Sequence, residues 1–291
     1  MKILVTGANG QLGNEMRRVD AGTVAEYNFI FTDVAELDIT DRDAVSAYFK
    51  ENRPDYVVNC AAYTDVNRAE SDLEKAELIN ATAPKILAEC CKEFGAKFIH
   101  VSTDYVFDGS AHLPYKETDK EHPVSAYGTT KYHGEQNVVA SGCDYIIIRT
   151  CWLYSSFGKN FVKTMANLGA TKEELGVVFD QIGTPTYAFD LACAIFIIIA
   201  KSAEDPSNFV KGIYHYSNEG VCSWYDFAVA VMELFNLKCY IKPLHTDEYP
   251  TPANRPAYSV LDKTKIKTTF DFRIPHWYTS LKACVEMIKR G

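Results

Sequence analysis

Tyr127 and Lys131 stand at the two ends of the run Tyr127-Gly128-Thr129-Thr130-Lys131. On a helix that spacing, i and i+4, puts a phenol and an amine on one face. An ammonium beside a phenol favours the phenolate and draws the tyrosine pKa down from about 10. Tuned in this way, a phenol suits general-acid work on an oxygen atom. A further hydroxyl, Thr103, follows the apolar run Phe98–Ser102 in the segment Val101-Ser102-Thr103-Asp104-Tyr105-Val106-Phe107. Open α/β sheets bind ligands at the carboxyl ends of their strands. There Thr103 can hydrogen-bond a substrate carbonyl and help Tyr127 polarise it. Ser102 competes for this role, because side-chain alternation lets only one of the two face the site. Thr103, Tyr127 and Lys131 are therefore the candidate catalytic residues, with Asp104 and Tyr105 as candidate substrate contacts.

A second constellation opens the chain. The strand-like run Lys2–Thr6 feeds Gly7-Ala8-Asn9-Gly10-Gln11-Leu12-Gly13. In such a turn Gly7 takes the bend, Gly10 clears space for a pyrophosphate, and Gly13 lets the following helix pack close to the sheet. The helix N-terminus then faces the anion. Asp33 follows the next strand and can accept hydrogen bonds from both adenosine ribose hydroxyls. A carboxylate there repels a 2′-phosphate and leans the reading toward NADH, a repulsion that Arg17 or Arg18 could moderate. Asp38 and Ile39 lie where the following loop can touch adenine. Ala61 and Ala62 end the third strand with small residues that leave room for a flat cofactor. Together the two constellations point to a nicotinamide enzyme that moves a hydride at one face and a proton at the other, with Tyr127 and Lys131 also counted among the cofactor contacts and Lys131 placed to donate to the nicotinamide ribose.

Five runs are expected as buried strands: Lys2–Thr6, Asn28–Thr32, Tyr56–Cys60, Phe98–Ser102 and Tyr145–Thr150. Four of them are rich in Val and Ile without polar alternation, as in a parallel sheet covered on both faces. Helices are expected at Asp41–Lys50, Leu73–Phe94 and Ala126–Ala140. The alternation predicts an α/β fold, a Rossmann-type doubly wound parallel sheet over residues 1–150. Residues 151–291 are expected to form mainly a smaller substrate-binding lobe, with segments near 176–202 returning to the first domain. In this half the expected helices are Phe161–Leu168, Tyr187–Ala200, Trp224–Phe235 and Thr279–Lys289. The expected strands are Val177–Phe179, Ile213–Tyr216 and Cys239–Ile241, followed by a loop over Pro243–Pro256.

The 291 residues are 47% hydrophobic and carry a net charge of −8, enough for a sizeable core and without the basic face of a general nucleic-acid binder. The nine cysteines show no CxxC spacing, so buried thiols in a reducing compartment are expected and no metal site. The longest apolar run, Leu191 to Ala200, is too short to span a bilayer. The chain begins directly with a strand and shows no signal peptide, so a cytoplasmic protein is expected.

These motifs resemble the extended short-chain dehydrogenase/reductase superfamily, and within it the dTDP-4-dehydrorhamnose reductase family. The segments that carry the resemblance are Gly7–Gly13, Asn59–Thr64, Val101–Gly109, Tyr127–Lys131, Arg149–Trp152, Asp180–Thr186 and Tyr249–Pro256. It runs over nearly the whole chain. The resemblance implies NADPH- or NADH-dependent reduction of dTDP-4-dehydro-β-L-rhamnose to dTDP-β-L-rhamnose, with a dTDP-4-keto-6-deoxy sugar as partner molecule. It places the catalytic set on Thr103, Tyr127 and Lys131, and sugar contacts on Asp104, Tyr105 and Trp152. Cofactor contacts fall on Gly10, Gln11, Leu12, Asp38, Ile39, Ala62, Tyr63 and Thr64. Arg255 could pair with the substrate diphosphate. The chain departs from the family pattern at Cys60, Asn67 and Asn254. Some members associate through a metal held by acidic residues; Glu15 is present here, but no further ligands assemble around it in the sequence. A homodimer stays open. Two alternatives also stay open: another nucleotide-sugar reductase or epimerase of the superfamily, and a non-catalytic subunit like the regulatory β-subunit of methionine adenosyltransferase.

Overall fold

In the computed structural model, which describes residues 1–22 and 27–290, strands and helices alternate through the first half. They are β1 (Lys2–Thr6), α1 (Gln11–Asp20), β2 (Asn28–Thr32), α2 (Arg42–Asn52), β3 (Tyr56–Asn59), α3 (Val66–Ala69), α4 (Leu73–Glu77), α5 (Ala83–Phe94), β4 (Lys97–Thr103), α6 (Ala126–Ser141) and β5 (Tyr145–Thr150). The second half adds β6 (Leu153–Tyr154), α7 (Phe161–Gly169), β7 (Glu174–Val178), β8 (Ile182–Gly183), β9 (Thr186–Tyr187), α8 (Ala188–Glu204), β10 (Gly212–His215), β11 (Cys222–Ser223), α9 (Trp224–Phe235), β12 (Tyr240–Leu244), α10 (Thr264–Phe270) and α11 (Trp277–Arg290). The main sheet has the order β2-β1-β3-β4-β5-β10, parallel throughout. The direction of winding reverses between β1 and β3, which opens a crevice at the carboxyl ends of these strands.

The strands read as continuous apolar runs because both faces are covered. Ile3, Val5, Val58, Ile146 and Ile148 face Leu12 and Met16 of α1 and Leu191, Ile195 and Ile198 of α8. Leu4, Val57, Phe98 and Ile147 point the other way, onto Val45 and Phe49 of α2, Leu87 and Cys91 of α5, and Val138 of α6. A separate core joins α7, α9 and α11 to the paired strands β7 and β12 through Met165, Phe227, Val231, Ile241 and Leu281.

Several boundaries differ from the sequence reading. Cys60 lies just past β3, while Thr103 extends β4. The helix expected over Leu73–Phe94 is interrupted by a π-helical turn at Leu78–Thr82. The turn accompanies the buried Asn80, whose amide accepts from Tyr63 N (2.8 Å) and donates to Tyr63 O and to Thr130 Oγ1, both at 3.1 Å. Those bonds tie the loop after β3 to α6. The first two residues of the expected Pro243–Pro256 loop belong to β12, and Ile213 and its neighbours form the sixth strand of the main sheet. Within the 176–202 stretch, α8 packs on α1, whereas β7 pairs with β12.

Candidate active site

The glycine turn is held by close approach. Gly7 has φ +66°, and a Cβ there would fall 2.6 Å from the backbone of Ala61. At Gly13 a Cβ would fall 2.5 Å from Ala8 Cα and from the Gly7 carbonyl oxygen. Gly10 caps α1 without a side-chain hydrogen bond, and no acidic residue stands in the first turn of the helix. The orphan N–H groups of that helix end therefore face open space, as anion binding requires.

Two cavities meet at Gly10, Cys60 and Ala62. The first, about 430 Å³, is lined by Gly7, Asp33, Asp38, Ile39 and Ala61, with Val34, Leu37, Leu78 and Ile79 supplying apolar wall. Asp33 accepts from Asn9 N and from Val34 N, both at 2.9 Å, which fixes its carboxylate beside the turn. Asp38 binds Thr40 through one oxygen, and these bonds hold its carboxyl below the usual range.

The second cavity, about 530 Å³, takes in Gln11, Leu12, Thr64, Thr103, Asp104, Tyr105, Tyr127, Lys131, Trp152 and Arg255. Of the cofactor candidates, Gly13 lines neither cavity and serves the close packing of α1. Tyr63 lines neither as well: its hydroxyl is turned to Asp72 Oδ2 at 3.1 Å. A nicotinamide dinucleotide fits this pair of cavities. Its anionic middle matches the uncapped helix end at their junction, and a flat ring matches the apolar wall of the first cavity.

Helix α6 carries Tyr127 and Lys131, and Ser125 sets its start by accepting from Gly128 N at 3.1 Å. Such a cap contributes about 1 kcal/mol. Ser102 and Thr103 both border this cavity, but their hydroxyls have different partners. Ser102 donates to Glu135 Oε1 at 2.5 Å, beneath α6, while Thr103 donates to Asp104 Oδ1 at 2.9 Å on the cavity side. The Thr103 hydroxyl lies beside the Tyr127 phenol and eases its ionisation by hydrogen bonding. Burial outweighs that effect and holds the phenol well above its ordinary range, with the nearby Asp104 and Tyr105 acting in the same direction. The net shift is therefore upward, opposite to the one expected from the i, i+4 neighbour. The Lys131 amine donates to Val101 O at 2.6 Å, and desolvation of a phenolate governs the balance. Burial also pulls the amine itself down to about 8, against the charge of Glu135. Asp104, 2% exposed, is pushed up to about 7 by burial.

Trp152 adopts φ +47°, a strained conformation for a bulky residue, and stacks on Trp224 with ring centroids 3.6 Å apart. Trp224 and Arg255 line both this cavity and a third one of about 360 Å³, which adds Phe161, Met165, Val177, Gln181 and Tyr249. Arg255 thus stands where the catalytic cavity opens into an apolar one.

The RmlD substrate binding domain family matches this chain over residues 1–290. The chain belongs to that family. It is 40% identical over 290 residues to a dTDP-4-dehydrorhamnose reductase of Aggregatibacter actinomycetemcomitans, covering 97% of each chain. Among solved structures, a dTDP-4-dehydrorhamnose reductase from Clostridium acetobutylicum superposes with a TM-score of 0.93 at 45% identity, covering 99% of this chain and 100% of that one. The Bacillus anthracis dTDP-4-dehydrorhamnose reductase, solved in complex with NADP, superposes with a TM-score of 0.91 at 38% identity, covering 98% and 99%.

Three features of the site were not read from the sequence. Cys60 lies at the junction of the two cofactor cavities. Gly158, Lys159 and Asn160 reach the catalytic cavity from the second half, and Asn160 Nδ2 donates to Gln11 Oε1 at 3.0 Å. Trp224 forms a shared wall, and its position at the start of an otherwise apolar helix gave no sign of this. Glu15 accepts from Ser155 Oγ and Arg18 Nη1, both at 2.6 Å, and among the described residues no group of three metal-ligating side chains assembles. No helix among the described residues is long and apolar enough to cross a membrane.

Proposed function

We propose that the chain reduces the 4-keto group of dTDP-4-dehydro-β-L-rhamnose to dTDP-β-L-rhamnose with NADPH or NADH. One observation carries the reading: Thr103, Tyr127 and Lys131 share a single cavity with the uncapped end of α1. Gly10, Gln11, Leu12, Asp33, Asp38, Ile39, Ala61, Ala62 and Thr64 would hold the dinucleotide, which supplies the hydride when bound. Gly7 and Gly13 shape the turn beneath it.

Tyr127 holds the proton that the product oxygen needs. Its raised pKa keeps the phenol protonated at neutral pH, the state a proton donor must start from. Thr103 and Tyr127 together hold the ketone oxygen, the Thr103 hydroxyl turning its proton from Asp104 Oδ1 to the substrate when it binds. Lys131, anchored on Val101 O, carries positive charge beneath the phenol and stabilises the phenolate left after proton transfer. Asp104, Tyr105 and Trp152 border the sugar. Arg255 meets the diphosphate at the mouth of the third cavity, where the apolar wall and the Gln181 amide suit a pyrimidine base. A fixed geometry supplies much of the rate, because hydride transfer needs alignment rather than a protein nucleophile.

The test is loss of the reduced-nicotinamide absorbance on adding the dTDP-4-keto sugar, with the product identified. Stoichiometric oxidation with formation of dTDP-rhamnose is expected. Absence of turnover with both cofactors overturns the reading.

A further inference from the structure

Behind the cavity, on the side of β4 that faces α6, lies a buried charge network that the reduction itself does not use. Glu135, one helical turn beyond Lys131, is 1% exposed, and Arg149 of β5 is 0% exposed. Arg149 grips the Glu135 carboxylate twice, through Nε to Oε1 at 2.9 Å and Nη2 to Oε2 at 2.6 Å. Ser102 adds a third bond at 2.5 Å. The same Nη2 reaches Glu121 Oε1 at 2.5 Å on the more exposed side.

We propose that Glu135 is a positioning residue for the reaction: its carboxylate, fixed by Arg149 and Ser102, holds Lys131 as a buried ammonium beneath Tyr127. The proposal rests on the reading of Lys131 given above.

Three observations support it. Lys131 and Glu135 share a helix face through i, i+4 spacing, the arrangement in which opposite charges attract along a helix. The amine's hydrogen bond goes to Val101 O, a neutral acceptor, so a full negative charge must come from elsewhere. Asp104 borders the same cavity, but its carboxyl is bonded by Thr103 and pushed up to about 7 by burial, and the other groups around the amine supply no negative charge. His100 of β4 is buried and held neutral, partly by Lys131 itself. Cys60 at the end of β3 is held protonated by burial. Tyr127 stays a phenol, and Arg149 is a cation. Glu135 therefore provides the buried counter-charge, and three hydrogen bonds keep its carboxylate from turning away. A buried ammonium without a counter-charge would lose its proton at lower pH.

Trace labelling of amines with acetic anhydride across a pH series, read by mass spectrometry on the Lys131 peptide, measures this titration in the full chain without cofactor or substrate. Glu135→Gln is expected to lower the Lys131 midpoint by about one pH unit or more. The alkaline limb of kcat should move the same way, with the rate recovered at lower pH. Glu121→Gln removes a carboxylate from the same arginine on its outer side and should leave the Lys131 midpoint in place. If Glu135→Gln does not fold, Glu135→Asp keeps the charge but withdraws it by one methylene, and a smaller downward step is expected. An unchanged midpoint in the folded variant, or an equal shift in Glu121→Gln, overturns the proposal. A midpoint that moves while the kcat limb stays fixed also overturns the proposal, because Glu135 then sets the charge of an amine that the reaction does not use.

Discussion

Tyr127→Phe removes one oxygen atom and little else. The ring keeps its edge-on contact with Tyr105, 5.5 Å between centroids, and α6 keeps its Ser125 cap. Thr103 loses a neighbour but retains Asp104 Oδ1 as acceptor, 2.9 Å away. The stability cost is then that of about one hydrogen bond, roughly 0.5–1.5 kcal/mol. The effect on turnover is far larger. A positioned general acid contributes about 10²–10⁴-fold, equivalent to roughly 2.7–5.4 kcal/mol of barrier. The cofactor turn does not touch the missing oxygen, so dinucleotide affinity should change by less than about threefold. Three measurements separate these effects: kcat from nicotinamide absorbance, dinucleotide Kd by fluorescence titration, and Tm by thermal melting. A variant that folds, binds cofactor and turns over within about fivefold of the parent would refute the assignment of the phenol as acid.

Lys131 holds its proton below about 8, so kcat should fall as pH rises through that value, by roughly tenfold for each further unit; a flat profile to pH 10 would contradict an essential ammonium. Gly13→Ala places a methyl 2.5 Å from Ala8 Cα and the Gly7 carbonyl, so the turn must shift; about 1–3 kcal/mol of stability and most dinucleotide affinity should be lost, checked by Tm and titration. Asp33 sits against the first cavity with its carboxylate fixed by two main-chain N–H groups, and Asp33→Ala should raise the NADPH to NADH ratio of kcat/KM by about tenfold or more, measured by initial rates with each cofactor.

Much of the frame was legible because it depends on local chemistry. The run Lys2–Thr6 is apolar on both faces, and it became a central strand with the stated ends. The glycine spacing identified its own turn, since Gly7 and Gly13 are needed where backbone approaches backbone. The choice between Ser102 and Thr103 could be narrowed only to one of the two; the bond of Ser102 to the buried Glu135 of α6, a tertiary contact, favours Thr103. The sign of the Tyr127 shift was misjudged because i, i+4 spacing reports a neighbour but not the depth of burial. Trp224 and the 158–160 loop reach the cavity by tertiary packing between segments far apart in sequence. The π-helical turn around Asn80 was hidden for a similar reason, because its partners Tyr63 and Thr130 come from other elements. Boundaries in the second half were the least legible, since short strands such as β8 and β11 exist by pairing with distant segments, β11 with β8 and β8 also with Tyr258.

The central claim is that a hydride passes from a nicotinamide to C4 of the sugar while Tyr127 protonates the oxygen. Turnover with reduced cofactor carrying deuterium at both positions of the nicotinamide C4, followed by NMR of the purified nucleotide sugar, tests it directly. One deuterium at C4 of dTDP-rhamnose, in a single configuration, is the predicted result. Product that forms without deuterium at C4, or label found at another sugar carbon, would contradict the account.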